Sequence, residues 1–351
     1  VKQPALGLVA SAIVIAISLG FVALFPSAKF LGSVTYCLVC IIPMEIVIGI
    51  TWGCKQPGFA ASRSQPVKGI TLALLTVAVG VVVAAVYFFL FGGVRPLPPM
   101  IIMCSIVSVI ITFWAAIMWG GWPFNTLIKN PVAAGLTMLV ACYAVNYALF
   151  RIFFSYEFMK GGPAYVESLD PHGLFNANLA LVFYMTAITI MFLMLHFDLW
   201  PLTKSANVMK QPVLGLVWTG ICLVLGGIVF YIGIFTMAMD PLTFMVRVPI
   251  PFIFGTIIVL NMLQNSLFAK QTQPVKGILN AAAAALIGVA LAFAYTAMAP
   301  TLSGALAVGP PANEFERWLA SALLGVTFPF LIFYAEFFQF WPFNKSKQEA
   351  L

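Results

Sequence analysis

Charge is what this sequence lacks most. Only 8% of its 351 residues are charged, 62% are hydrophobic, and mean hydropathy is +1.06. Such a composition cannot build a polar surface, so lipid is expected to be the solvent for most of the chain. Histidine is scarce as well, with two in the whole chain, which argues against a multi-histidine haem or metal centre. The sequence has no phosphate-binding glycine loop followed by lysine, no zinc-protease pair and no haem-attachment motif. No catalytic activity of its own is expected, no cofactor is implied by motif, and no metal site is assigned.

Six cysteines remain, Cys37, Cys40, Cys54, Cys104, Cys142 and Cys222, nearly all within apolar runs. A thiol there behaves as a small hydrophobe. Cys37 and Cys40 have redox or metal spacing but no histidine nearby, so packing is their expected role.

What the chain does have is long apolar runs. They are helix-length, and a bilayer crossing needs roughly 20 mostly apolar residues; the short alternating strands of a barrel are not seen. Ten spans are read at 5–25, 34–52, 68–91, 99–120, 132–151, 175–197, 213–236, 248–268, 275–298 and 317–340. The first could pass for a cleaved signal sequence, but it lacks a small-residue cleavage site and carries a motif that recurs later.

That motif opens every odd-numbered run: Gln3-Pro4-Ala5-Leu6-Gly7, Gln65-Pro66-Val67-Lys68-Gly69, Asn130-Pro131 with Gly135, Gln211-Pro212-Val213-Leu214-Gly215 and Gln273-Pro274-Val275-Lys276-Gly277. Proline suits a first helical turn because its missing N–H would be unpaired there, and the polar residue before it stands where a cap belongs. Several even-numbered runs close on Trp-Pro, at Trp122-Pro123, Trp200-Pro201 and Trp341-Pro342, with Trp52 a weaker relative. Interfacial tryptophan followed by a helix-ending proline reads as anchoring and punctuation.

The expected fold is therefore all-α: a polytopic integral membrane helical bundle of about ten spans, built as five parallel tandem two-helix repeats. It forms a single membrane domain, 1–351, with units 1–62, 63–127, 128–208, 209–270 and 271–351. Units one and four match best, as do two and five, both pairs offset by 208 residues (Pro4 to Pro212, Pro66 to Pro274). That offset suggests a three-hairpin super-unit with one member absent.

With both termini on one side, that face carries Lys2, Lys55, Arg63, Lys68, Lys129, Lys204, Lys210, Lys270, Lys276, Lys345 and Lys347 against six basic residues opposite. The positive-inside rule then puts both termini in the cytoplasm, with a bacterial cytoplasmic membrane favoured. The net charge of +7 is a topological signal and gives no reason to invoke nucleic acid.

Ionisable groups at membrane depth are costly and mark function. Glu45 and Glu336 are the clearest candidates, since a carboxyl group taken out of water holds a proton or pairs with a cation. His196 with Asp198 could relay protons or bind a cation. Asn261, Gln264 and Asn265 read as one helical face that could line a polar path. A long loop, 153–174, next to Arg151, offers Glu157, Glu167, Asp170 and His172 as partner-docking candidates.

Two functions compete. One is a transporter or channel-like permease for a small solute or ion. The other is a non-catalytic membrane subunit of a larger complex, binding lipid, quinone or pigment among 32 Phe, 10 Tyr and 8 Trp and docking other membrane subunits. A lipid-modifying enzyme is a third reading, for which only His196 with Asp198 approaches a suitable constellation.

Overall fold

A computed structural model describes residues 2–95, 97–160, 165–310 and 312–344. Lys345 and Lys347 of the charge tally lie outside them. The chain is 73% helical with almost no strand. Ten helices are long and apolar enough to cross a bilayer: α1 Ala5–Ala23, α2 Ser27–Thr51, α3 Val67–Leu90, α4 Met100–Met118, α5 Pro131–Ile152, α6 Ala177–His196, α7 Val213–Thr236, α8 Pro241–Met262, α9 Val275–Ser303 and α10 Glu314–Phe337.

Local chemistry explains where these bounds depart from hydropathy. The α8 helix starts at Pro241 rather than 248 because the Asp240 carboxylate accepts from the Thr243 N–H at 2.9 Å and proline fits the first turn. It stops at Met262 rather than 268 because Gln264 and Asn265 adopt left-handed φ of 51° and 54°. The α9 helix continues through Pro300 to Ser303, where Gly304 turns the chain at φ 74°. Asn130 and Asn176 cap α5 and α6, each side chain accepting from two backbone N–H groups.

The helices form two layers. Between 56% and 72% of positions are buried in the even-numbered helices but only 22% to 39% in the odd-numbered ones. The even helices pack in the cyclic order α2, α4, α6, α8, α10 and back to α2. Each odd helix lies over one seam of this ring: α3 against α2 and α10, α5 against α4 and α2, α7 against α6 and α4, α9 against α8 and α6, and α1 against α10 and α8. Because α10 packs directly on α2, the ring closes with five hairpins.

The Gln-Pro motif works differently from a simple cap. Each glutamine donates its side-chain amide to the last carbonyl of an inner helix from another hairpin: Gln3 to Met262 at 2.9 Å, Gln65 to Phe337 at 2.6 Å, Gln211 to Met118 at 2.9 Å and Gln273 to His196 at 3.0 Å. A helix C-terminus leaves such carbonyls without an intrahelical partner, so the clasp satisfies a group that lipid cannot. The same glutamine's oxygen accepts from the glycine N–H four residues on, at 3.0–3.2 Å. That glycine is required by the close approach: a Cβ on Gly7 would overlap the Met262 carbonyl, and one on Gly277 the Phe197 ring. The asparagine variant reverses the direction, with the Trp52 indole donating to the Pro131 carbonyl at 2.9 Å.

The loop after α5 is internally tied. Its strands β1 (Phe154–Ser155) and β2 (Phe175–Asn176) pair in parallel. Asp170, 7% exposed, accepts from the Tyr156 N–H, the Tyr165 hydroxyl at 2.9 Å and the His172 N–H at 2.9 Å.

Candidate functional site

All five inner helices converge on one cavity of about 90 Å³. Val39 and Ile42 of α2, Ile106 of α4, Ile188 of α6, Ile253 of α8 and Leu324 of α10 line it. Thr35 also reaches it, but its hydroxyl is spent on the Phe30 carbonyl. Few groups in this wall could replace the hydration of a polar solute, and an apolar cavity of this size stays dry.

Three phenylalanines of the wall bear on one another. The Phe113 ring of α4 meets Phe192 of α6 at 5.5 Å and Phe328 of α10 at 5.9 Å, both edge to face. Since α4 and α10 are not neighbours in the ring, the second contact crosses the axis.

Toward the Gln-Pro end of the helices the side chains turn polar. Glu45 is three residues beyond Ile42 on α2. Helical periodicity places it between Ile42, which lines the cavity, and Ile41, which meets Gly80 of α3. It is 1% exposed, and neither carboxyl oxygen has a hydrogen-bond partner among the described residues. A bare charge so buried costs several kcal/mol. Pro43, two residues earlier, offers no N–H to the preceding turn, leaving the helix less constrained beside it.

Glu336 on α10 is half-buried and accepts from the Asn261 amide of α8 at 3.1 Å. Cys54, buried just past α2, lies within electrostatic reach of both carboxyl groups. Burial first, then the Glu336 charge, with Lys68 opposing, pushes its thiol up to about 12.

The His196 and Asp198 side chains do not share a hydrogen-bond partner. His196 is fully buried, its Nε2 2.9 Å from the Thr256 hydroxyl of α8, and its Nδ1 has no partner among the described residues. Asp198 sits past the helix end at φ 50° and accepts from Gln273 at 2.8 Å and Lys276 at 2.9 Å. Burial opposes its ionisation, but these two donors and the Lys276 charge outweigh it and hold the carboxyl below the usual carboxylate range.

Nor do Asn261, Gln264 and Asn265 share a helical face. Asn261 is in the last turn of α8, whereas Gln264 and Asn265 follow it in left-handed conformation. Gln264 is exposed, and Asn265 accepts from Asn280 at 3.1 Å. Among the loop candidates, Arg151 donates to the Leu169 carbonyl at 3.3 Å and Glu157 contacts His172 at 3.3 Å. Glu167 opens a short 3₁₀ turn, and Asp170 is the buried hub described above.

The sequence reading did not single out the cavity wall, the three-ring contact or Thr256. The first two are apolar residues among many, with no local pattern to separate an axial position from a packed one. Thr256 lies in a run where only tertiary contact shows its partner. The chain matches no protein-family model, no curated protein sequence and no solved structure.

Proposed function

We propose that this integral membrane protein is a permease that moves a small solute or ion along the axis of its inner ring, with Glu45 as the protonatable or cation-binding group that couples the movement. One observation carries the reading: a wholly buried carboxyl group, without a hydrogen-bond partner among the described residues, lies three residues along α2 from Ile42, which lines a cavity on which five helices converge. Rare intramembrane carboxyl groups mark ion and proton pathways. The Phe113, Phe192 and Phe328 rings then act as a closed gate, because apolar constrictions shut a path by dewetting.

In this reading the five hairpins are parallel copies of one two-helix unit. The four Gln-to-carbonyl clasps and the regular seam order support that equivalence. The Gln-Pro ends face the cytoplasm, in keeping with the basic residues there. A second reading, a non-catalytic subunit that holds lipid, quinone or pigment and docks partners through the 153–174 loop, draws support from the apolar cavity wall.

Reconstitution separates the two. Vesicles carrying the purified protein are expected to take up at least one member of a panel of monovalent cations, amino acids and sugars faster than protein-free vesicles. No uptake across the panel, with other chains co-migrating on native gels, would favour the subunit.

A further inference from the structure

The outer layer opens over α4. Between α5 and α7 lies a groove of about 330 Å³, floored by Ile111, Trp114, Trp119 and Trp122 and walled by Leu149 of α5 and Leu223 of α7. A groove on the lipid side of a bundle is selective for what its lining can hold.

Two features distinguish this groove from generic lipid contact. The first is a donor pair in its aromatic floor. Trp119 and Trp122 stack at 5.6 Å with 29° between their planes, at the Gln-Pro end where α4 leaves the membrane. Trp52, Trp114 and Trp318 spend their indole N–H groups inside the protein, on Pro131, Thr219 and Ser303. The N–H groups of Trp119 and Trp122 have no hydrogen-bond partner among the described residues, and both side chains line the groove.

The second is charge. The residues just before the capping turns of α5 and α7, the two walls, are Lys129 and Lys210, both exposed. Lys210 is fixed near α4 by its neighbour Gln211, which clasps the Met118 carbonyl, and Gly215 packs on the Trp119 ring. On the α5 side, a Cβ on Gly121 would stand 3.8 Å from the Met138 sulfur, so the end of α4 lies against α5. The groove therefore has Trp119 and Trp122 in its floor and an apolar slot beyond them, and Lys129 and Lys210 stand at the starts of the two helices that wall it.

We propose that this groove is a binding site for an anionic phospholipid. One acyl chain lies along Ile111, Trp114 and Leu223, the glycerol ester oxygens accept from the Trp119 and Trp122 indoles, and the phosphate sits between Lys129 and Lys210. Lipid tails gain little by moving from bilayer to groove, since both are apolar. Discrimination therefore comes from the headgroup, each lysine contributing about five-fold in affinity.

The test is native mass spectrometry of the detergent-purified full chain titrated with phosphatidylglycerol, phosphatidylcholine or inorganic phosphate. Phosphatidylglycerol is expected to be retained about 25-fold more tightly than phosphatidylcholine, with the preference lost in Lys129→Gln/Lys210→Gln. Lys2→Gln/Lys270→Gln, on the same face, keeps the preference, and Leu223→Trp, which fills the slot, lowers retention of both lipids. Melting curves establish that each variant is folded. Equal retention of the two lipids, an unchanged preference in the Lys129/Lys210 double variant, or binding of inorganic phosphate as tight as that of phosphatidylglycerol would overturn the assignment.

Discussion

The Gln3 side-chain amide donates to the Met262 carbonyl at 2.9 Å, joining residues 259 apart in the chain. The contact ties the start of the first outer helix to the end of the fourth inner one. With its counterparts at Gln65, Gln211 and Gln273, it turns a string of hairpins into a ring.

Cutting a clasp leaves a carbonyl unpaired in an apolar layer. Gln3→Leu and Gln65→Leu are each expected to destabilise the protein by about 1–3 kcal/mol. Gln264→Leu, at an exposed position without a partner, is expected to stay within about 0.5 kcal/mol of the parent. Unfolding in detergent, followed by circular dichroism, checks both.

Glycines at the tightest backbone approaches should be intolerant. A Cβ on Gly255 of α8 would overlap the Ala284 carbonyl of α9, so Gly255→Ala is expected to cost about 1–3 kcal/mol. A Cβ on Gly20 meets open space, and Gly20→Ala is expected to be neutral or slightly stabilising. Paired melting curves separate the two outcomes.

Much of this architecture is legible in the sequence. The ten spans follow from apolar run length, and the Gln-Pro-x-x-Gly phrase, with its longer Asn130-Pro131 relative, marks five helix starts that the structure also uses. What the phrase does is not legible, because the carbonyls that receive Gln3 and Gln65 lie more than 250 residues away. Composition likewise flags Glu45 as an oddity but cannot tell a partnered carboxyl from an orphan. Glu336 has Asn261, Glu45 has none, and only packing makes the difference. The separate side-chain hydrogen-bond partners of His196 and Asp198 are not legible for a related reason. The left-handed turn after α6 sends residues two apart to different partners.

Asp198 also sets a pH dependence. Its carboxyl is held below its ordinary value, so the Lys276 and Gln273 contacts stabilise the fold above the unfolded-state range near pH 4, and that stability is lost as pH falls through the lowered value. The side chain is 52% exposed, so screening limits the effect to below about 1 kcal/mol. Asp198→Asn is expected to lower the melting temperature slightly at pH 7 and to match the parent at pH 2.5.

An apolar carbodiimide, which partitions into the bilayer and reacts with protonated carboxyl groups, is expected to modify Glu45. Glu157, exposed and facing His172, is expected to stay unmodified. Peptide mass spectrometry after labelling in vesicles locates the adduct.

Proton movement tests Glu45 most directly. Vesicles loaded with a pH-sensitive dye and given a potassium diffusion potential are expected to acidify faster with the parent protein than without protein. Glu45→Gln is expected to return that rate to the protein-free level, and Glu45→Asp to retain part of it. Equal rates for the parent and a folded Glu45→Gln variant would contradict a coupling role for this carboxyl group.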